Sequence, residues 1–477
     1  MPDLPSVLLC QFDSLEYYSY MILSARLTEA NIKHDIEIID SDSELLTKLS
    51  SEYSEYSIIG FYTCNTDYPR IVRISKEIKK NFKDKVLILG GPYPTLNPLN
   101  IDFNIIDFIC IGAGEFYFHK WISEGRWEVK ENYQNFVCDL SKPYKVLFVT
   151  DLDKSPKPNR DIYYKKYDFM KNMGIRRFLF SSGCPYRCSY CHNASFREKY
   201  KEYFKAVLFK SPEKAIQDMK EVLEKYPSYA ISFSDDNFCI NRKWLSEFLN
   251  LYKSEINKPF NMSTTINILT DDIIEELSRA NLKTVRIAME TTNQKIRKEI
   301  LNRPDYSNED FEYKAAKLRK HGIKVVMLNM FCLPGQTLRD CVDAFKFARK
   351  NRVVMNTNIL VPYKGTAIFS YCLDNDLLID PSAAEGDLYS SGSSLKGEDM
   401  ERMVTLQNYT FLLNYFNFFI PLILLFSKSS LFRNFSLRFI APLNIAIMTL
   451  FQYTGLMPLS KIVVLGVKSF SAFKRKK

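Results

Sequence analysis

Two series of short apolar runs, each interrupted by amphipathic stretches, confine this chain to an α/β architecture. The first series falls at residues 6–12, 35–40, 56–63, 85–91 and 107–114, with helical periodicity at 19–30, 43–53 and 68–82 between the runs. Consecutive apolar residues, as opposed to alternating ones, describe strands buried on both faces. With helices between them they imply a parallel sheet covered on both sides. The second series falls at 177–183, 229–236, 260–267, 284–291, 324–331 and 355–363, separated by helical patterns at 211–226, 242–256, 271–280, 308–322 and 337–351. Six strand–helix repeats predict a partial (βα)6 barrel, whose reactive groups belong at the carboxyl ends of the strands. Ser211 before Pro212 predicts a capped helix start, and Gly322 after His321 a helix stop.

A length of 477 residues predicts two or three domains. The pattern divides the chain into a doubly wound, Rossmann-like unit (1–130), a linker (131–172), the barrel (173–380) and an apolar helical region (381–477). The linker is marked by Pro143, Pro156 and Pro158. In the first unit, glycines follow two strands as Gly90-Gly91 and Gly112/Gly114. Ligands of open parallel sheets sit beyond such strand ends, which makes the loop from Gly90 to Thr95 a candidate ligand loop or a tight turn.

Hydrophobic residues at 46% and charged residues at 25% describe a folded protein. The net charge of +10 is spread over lysines interleaved with acids, which predicts a solvated surface and no nucleic-acid partner. Eleven irregularly spaced cysteines do not make a disulfide framework. The first residues show neither a basic segment nor a long apolar one, so a reducing, cytoplasmic location is expected. The C-terminal region has two uncharged stretches, 403–427 and 439–460, each near the length of roughly 20 residues that crosses a bilayer. Lys428, Arg433 and Arg438 lie between them, and the chain ends in Lys474-Arg475-Lys476-Lys477. Asn414, Asn417, Asn444 and Gln452 make the stretches partly polar, and Pro421 and Pro442 interrupt them. Attachment to the cytoplasmic membrane surface and helices packed on the barrel are the two favoured arrangements, ahead of a hairpin that spans the bilayer.

The residues with the clearest chemistry are Cys184, Cys188 and Cys191, just after the first barrel strand. Three thiolates within eight residues suit a soft-metal site, either an iron–sulfur cluster or zinc. A structural zinc wants a fourth ligand, and His192 directly after Cys191 is poorly placed to supply it. Cys188 to His192 also fits the haem-attachment pattern, but that chemistry belongs to exported proteins. On a four-iron cluster, three cysteines leave one iron open to a small molecule.

The Cys-x3-Cys-x2-Cys spacing at the end of a first barrel strand, with Tyr190 before the last cysteine, resembles the radical S-adenosylmethionine (radical SAM) superfamily. The resemblance extends to residues 232–238, 286–291, 332–337 and 362–366 at later strand ends. Residues 89–98 and 111–118 resemble the cobalamin (B12)-binding domain joined to many such enzymes, a class that includes methyltransferases and the anaerobic magnesium-protoporphyrin ester cyclase. The resemblance implies a [4Fe–4S] cluster on the three cysteines, SAM chelated to the open iron, and reductive cleavage of SAM to methionine and a 5′-deoxyadenosyl radical. It implies SAM contacts from Tyr190, Asp235, Asp236, Glu290 and Gly335, with cobalamin held by Gly90, Gly91, Pro92, Thr95, Gly112, Gly114 and Glu115. Read without the resemblance, Asp235 and Asp236 are a helix-cap cluster before Asn241, Glu290 is a surface partner of Arg286, and Gly335 a turn.

The chain departs from the pattern in three places. Ala288 stands where the family usually has glycine, and 264–267 holds no arginine where many relatives carry one. The Asp-x-His-x-x-Gly sequence that supplies a cobalt ligand elsewhere is missing, and His34 reads as structural, so no histidine on cobalt is expected. The expected function is cobalamin-dependent methyl transfer to an unactivated carbon of a hydrophobic substrate, with flavodoxin or ferredoxin as electron donor. Oxidative cyclisation and a non-catalytic B12 or metal sensor are the alternatives.

Overall fold

The computed structural model describes residues 4–125, 127, 149–201, 207–380, 392–458 and 462–463. The Pro143 part of the expected linker and the basic run 474–477 lie outside them.

The first unit is a five-stranded parallel sheet of β1 (Val7–Gln11), β2 (His34–Ile38), β3 (Ile58–Tyr62), β4 (Val86–Gly90) and β5 (Phe108–Ile109), in the order β2-β1-β3-β4-β5. The order reverses direction between β1 and β3, which opens a crevice at the carboxyl edge. β1 is wholly buried, as its uninterrupted apolar sequence requires. Helices Tyr18–Glu29 and Tyr68–Asn81 cover opposite faces, their apolar sides packing into separate core clusters.

The second unit is an open barrel. Its six parallel strands are β6 (Ile175–Phe178), β9 (Ala230–Phe233), β10 (Phe260–Thr264), β11 (Leu282–Glu290), β12 (Lys324–Phe331) and β13 (Val354–Ile359), hydrogen-bonded in chain order. A small antiparallel pair, β7 (Ser181–Ser182) and β8 (Leu208–Phe209), follows β6. All six strands coincide with the apolar runs of the sequence. Pro212 opens helix Pro212–Lys225 as expected, but the Ser211 hydroxyl makes no cap bond; its backbone N–H instead donates to Asp153 (2.8 Å).

The ladder leaves β6 and β13 as free edges, and the C-terminal region covers β13. The Asn414 side-chain amide donates to Met355 O and accepts from Met355 N, both at 2.8 Å, like a neighbouring strand. Gln407 donates to Thr357 O on the same edge (3.1 Å). Asn444 accepts from Phe411 N, tying the two uncharged stretches together, and Asn408 donates to Ser436 in the segment between them. Leu456 and Met457 pack on Ile175 and Ala230, the first residues of β6 and β9, closing the barrel floor. One face of this region thus joins the barrel core, through Met403, Leu406, Leu413 and Ile420 among others. The other face leaves Phe416, Phe418, Leu425, Leu431 and Phe439 exposed, the last four by 54–81%. Ser430–Phe451 is long and apolar enough to cross a membrane by length and composition, with a mean hydropathy of 1.3.

Candidate active site

The cysteine loop is fixed at both ends by side chains from later strands. After β6, the buried Asp235 carboxylate accepts from Phe180 N (3.0 Å), Ser181 N (2.7 Å) and the Ser181 hydroxyl (2.6 Å). Burial raises this carboxyl to about 6, against the pull of those three donors. Asp235 is therefore the clamp that starts the loop, and Gly183, at φ +88°, turns it. Asp236 accepts from Asn193 (2.7 Å). Neither aspartate caps the following helix: Asn241 does, accepting from Trp244 N. Arg197 holds the loop from below, donating to the carbonyls of Cys184 (3.2 Å) and Pro185 (2.5 Å). The far end is stitched to residues 300–302 through Ser189 and Asn302.

The three thiols are free, Cys188 buried and the others half-buried. Burial pushes the Cys191 thiol up to about 12 and that of Cys184 upward, so a bound cation is needed to hold them as thiolates. Among the described residues, no three His, Cys, Asp or Glu groups converge on a single-ion site. A four-iron cubane spreads its thiolates further apart than one zinc ion does, and this donor set of three cysteines fits the cluster.

A buried polar group faces the loop from β11. Glu290 ends that strand after a break in register, with a left-handed backbone (φ +67°). Strain of this kind concentrates at functional sites. Glu290 accepts from the Tyr190 hydroxyl (2.7 Å) and lies 4.0 Å from Arg303. It is not a surface partner of Arg286, as it is buried and Arg286 bonds Ser263 instead. Desolvation raises the Glu290 carboxyl, while Arg303 opposes the shift. Arg303 reaches the Cys188 sulfur (3.5 Å) and the Tyr190 hydroxyl (3.2 Å), and donates to Ala288 O (2.5 Å). Gly335 sits in the β12 turn at φ +73°, with open space around the position a Cβ would take.

A cavity of about 430 Å³ joins this loop to the first unit. On one side lie Gly90, Gly91, Pro92, Thr95, Gly112, Gly114 and Glu115, all seven of the expected cobalamin contacts; on the other lie Ser182, Gly183, His192 and Asn193. It reaches inward between the sheet and helix Tyr18–Glu29, past Leu9, Gly60 and Ile88. A Cβ on Gly91 would stand 3.0 Å from the Thr63 backbone at φ +97°, and one on Gly114 2.9 Å from the Cys110 sulfur. Glycine is therefore required at Gly91, and the bare backbone at both positions keeps this wall of the cavity open to a ligand. Burial raises the Glu115 carboxyl. His34 is remote from the cavity and bonds Ser24 and Ile32 O, a structural role.

The profile of the radical SAM superfamily matches residues 178–348, from the end of β6 to the helix before β13. The chain carries a radical SAM domain. Among curated relatives, an uncharacterized methyltransferase of Pyrococcus horikoshii is 23% identical over 73% of this chain and 77% of its own. The bacteriochlorophyllide d C-8(2)-methyltransferase of Chlorobaculum tepidum is 24% identical over 72% and 74%. The anaerobic magnesium-protoporphyrin IX monomethyl ester cyclase of Synechocystis is 24% identical over 56% and 55%. Among solved structures, the radical SAM methyltransferase TsrM of Kitasatospora setae, with cobalamin and a [4Fe–4S] cluster bound, superposes with a TM-score of 0.57. It is 14% identical and covers 78% of this chain and 75% of that one. This chain thus shares its fold.

Within the radical SAM domain, Arg303 is the residue that sequence reasoning missed. The sequence lacks arginine at 264–267, yet the structure brings a buried guanidinium to the cysteine loop from 112 positions beyond Cys191. The signal was faint: an arginine before Pro304, outside any periodic segment.

Proposed function

We propose that this chain is a cobalamin-dependent radical SAM methyltransferase acting on an unactivated carbon of a hydrophobic substrate. One observation carries the reading: the cavity has glycine loops of a doubly wound sheet on one wall and the cysteine loop on the other. A second cofactor held there would lie against the residues on either side of the three cysteines, Ser182–Gly183 and His192–Asn193. The methyltransferase names of two relatives support it.

When bound, the cluster supplies the single electron that cleaves SAM, and the protein positions and shields the reactants. Cys184, Cys188 and Cys191 would hold the cluster. Arg303 would pair with the SAM carboxylate, beside Cys188 in a buried setting where a charge-assisted bond is strong. Glu290 and Tyr190, already hydrogen-bonded, would take the SAM amino group or ribose. Asp235 acts one step back, by fixing the loop. Gly90, Gly91, Pro92, Thr95, Gly112, Gly114 and Glu115 would hold cobalamin. Flavodoxin or ferredoxin would supply the electron.

The test is anaerobic turnover of protein reconstituted with iron, sulfide and cobalamin. The expected products are S-adenosylhomocysteine and 5′-deoxyadenosine together. Formation of 5′-deoxyadenosine alone would refute methyl transfer. It would favour the second reading, oxidative ring closure, which the cyclase relative supports.

We further propose that the exposed apolar face at residues 416–439 rests on the cytoplasmic surface of an anionic membrane. Its aromatic and leucine side chains are interleaved with Lys428 and Arg438, the pairing that favours acidic headgroups. Co-sedimentation with phosphatidylglycerol vesicles, and loss of it in Phe418→Ser/Leu425→Ser, is the expected result. Equal sedimentation of the two proteins overturns it.

A further inference from the structure

The inward face of the barrel is cationic where a packed barrel is apolar. Strand side chains alternate between the two faces. Phe178, Phe233, Met262, Ile287, Met327 and Met355 point outward into the main core. The alternate positions face the lumen, which bulky branched residues normally fill. Here Arg177, Ser263, Arg286, Leu328 and Asn356 occupy it, and each keeps part of its surface accessible, unlike the outward set.

Arg286 is in register with Ser263, donates Nε to its hydroxyl (2.9 Å), and reaches Phe233 O (3.4 Å). Arg177 donates Nε to the Ser234 hydroxyl (3.3 Å). Burial disfavours the charge on Arg286, Tyr453 favours it, and Arg177 is close enough to add to the disfavour. Among the described residues, neither has a carboxylate within ion-pair distance. A third cation, Lys324, sits at the floor, where its ammonium donates to Phe451 O. Like charges gathered in a sheltered space are costly unless an anion joins them.

We propose that Arg177 and Arg286 bind an anionic group of the substrate, a carboxylate or phosphate, inside the barrel. This deepens the proposed function, reaction at a carbon of a hydrophobic substrate, and rests on it. Arg286 lies two residues below Ala288 and four below Glu290 on the same strand. At about 3.3 Å per residue, Arg286 sits about 7 Å below the level of Ala288 and about 13 Å below that of Glu290. Ala288 and its register partner Leu328 line the space between. The substrate is therefore an amphiphile: an anionic end in the lumen, an apolar middle, and the reacting carbon at the mouth.

The test is calorimetric titration of the reconstituted full chain with glutarate and, separately, with inorganic phosphate, at constant chloride. Wild type is expected to bind one of the two, which distinguishes a carboxylate from a phosphate. Arg286→Gln and Arg177→Gln should each weaken that binding by about tenfold or more, and Arg286→Lys by less. Binding of neither anion by wild type overturns the proposal, as does equal binding by wild type and both glutamine variants. Circular dichroism and cluster absorbance report whether each variant folds. Should Arg286→Gln fail to fold, Arg177→Gln and Arg286→Lys carry the comparison. No SAM turnover enters the measurement, so failed methyl transfer leaves this result standing, and the reverse holds too.

Discussion

Replacing Asn414 by leucine separates packing of the C-terminal helices on the barrel from a membrane span. In the structure, Asn414 bonds both backbone groups of Met355, a residue with no exposed surface. Losing both partners leaves one donor and one acceptor unsatisfied on a strand edge. Each costs about 1–3 kcal/mol when fully dry. Asn414 is only half-buried, so water recovers part of this, and leucine adds some apolar contact. The net loss is about 2 kcal/mol, local to β13. Amide hydrogen exchange followed by mass spectrometry reads it directly: peptides containing Met355 should exchange about 30-fold faster, while those of β10 and β11 stay as they were. Were residues 403–427 a membrane span, the same change would remove a polar group from the bilayer and strengthen insertion. Unchanged exchange at Met355 would refute the strand-like role of Asn414.

Arg303→Leu should raise KM for SAM by at least about tenfold and Arg303→Lys by less, since lysine keeps the charge without the fork; equal KM values in steady-state 5′-deoxyadenosine assays would count against the assignment. Gly91→Ala forces a Cβ against the Thr63 backbone at a left-handed φ, at a cost of about 1–3 kcal/mol, and should reduce bound cobalamin absorbance while iron content stays. Burial holds the Lys324 ammonium down to about 8 from 10.5. A lysine depressed on folding penalises the native state below pH 8, and the penalty fades as pH rises towards 10.5. Discounted for partial exposure and for the lost bond to Phe451 O, Lys324→Met should add about 1 kcal/mol at pH 7. It should also flatten the rise in urea stability between pH 8 and 10.

The eleven strands of the two parallel sheets were legible because burial on two faces writes continuous apolar runs into sequence. The cysteine loop was legible for a different reason: its chemistry is local, three thiols within eight residues. What stayed hidden depends on pairing across long separations. Asp235 looked equally like a helix cap, because sequence does not say which backbone amides a carboxylate will meet; it meets those of Phe180 and Ser181. Glu290 and Arg286 share a strand, but the register break after Ala288 sends them to different partners. The apolar character of 403–427 and 439–460 was plain. That Asn414, Asn408 and Asn444 point inward to satisfy a strand edge and a helix pair was not, since periodicity does not reveal what a face packs against.

The cover over β13 has a temporal side. β13 ends at Ile359, while the residues that seal the barrel floor, Leu456 and Met457, come almost 100 positions later. At a synthesis rate of about 5–20 residues per second, the nascent barrel spends roughly 3–11 s with a bare edge strand, until Asn414 follows, and roughly 5–20 s with an open floor. An uncovered strand edge is a template for pairing with another chain. The period of greatest exposure to such pairing is therefore the one before residue 414 emerges.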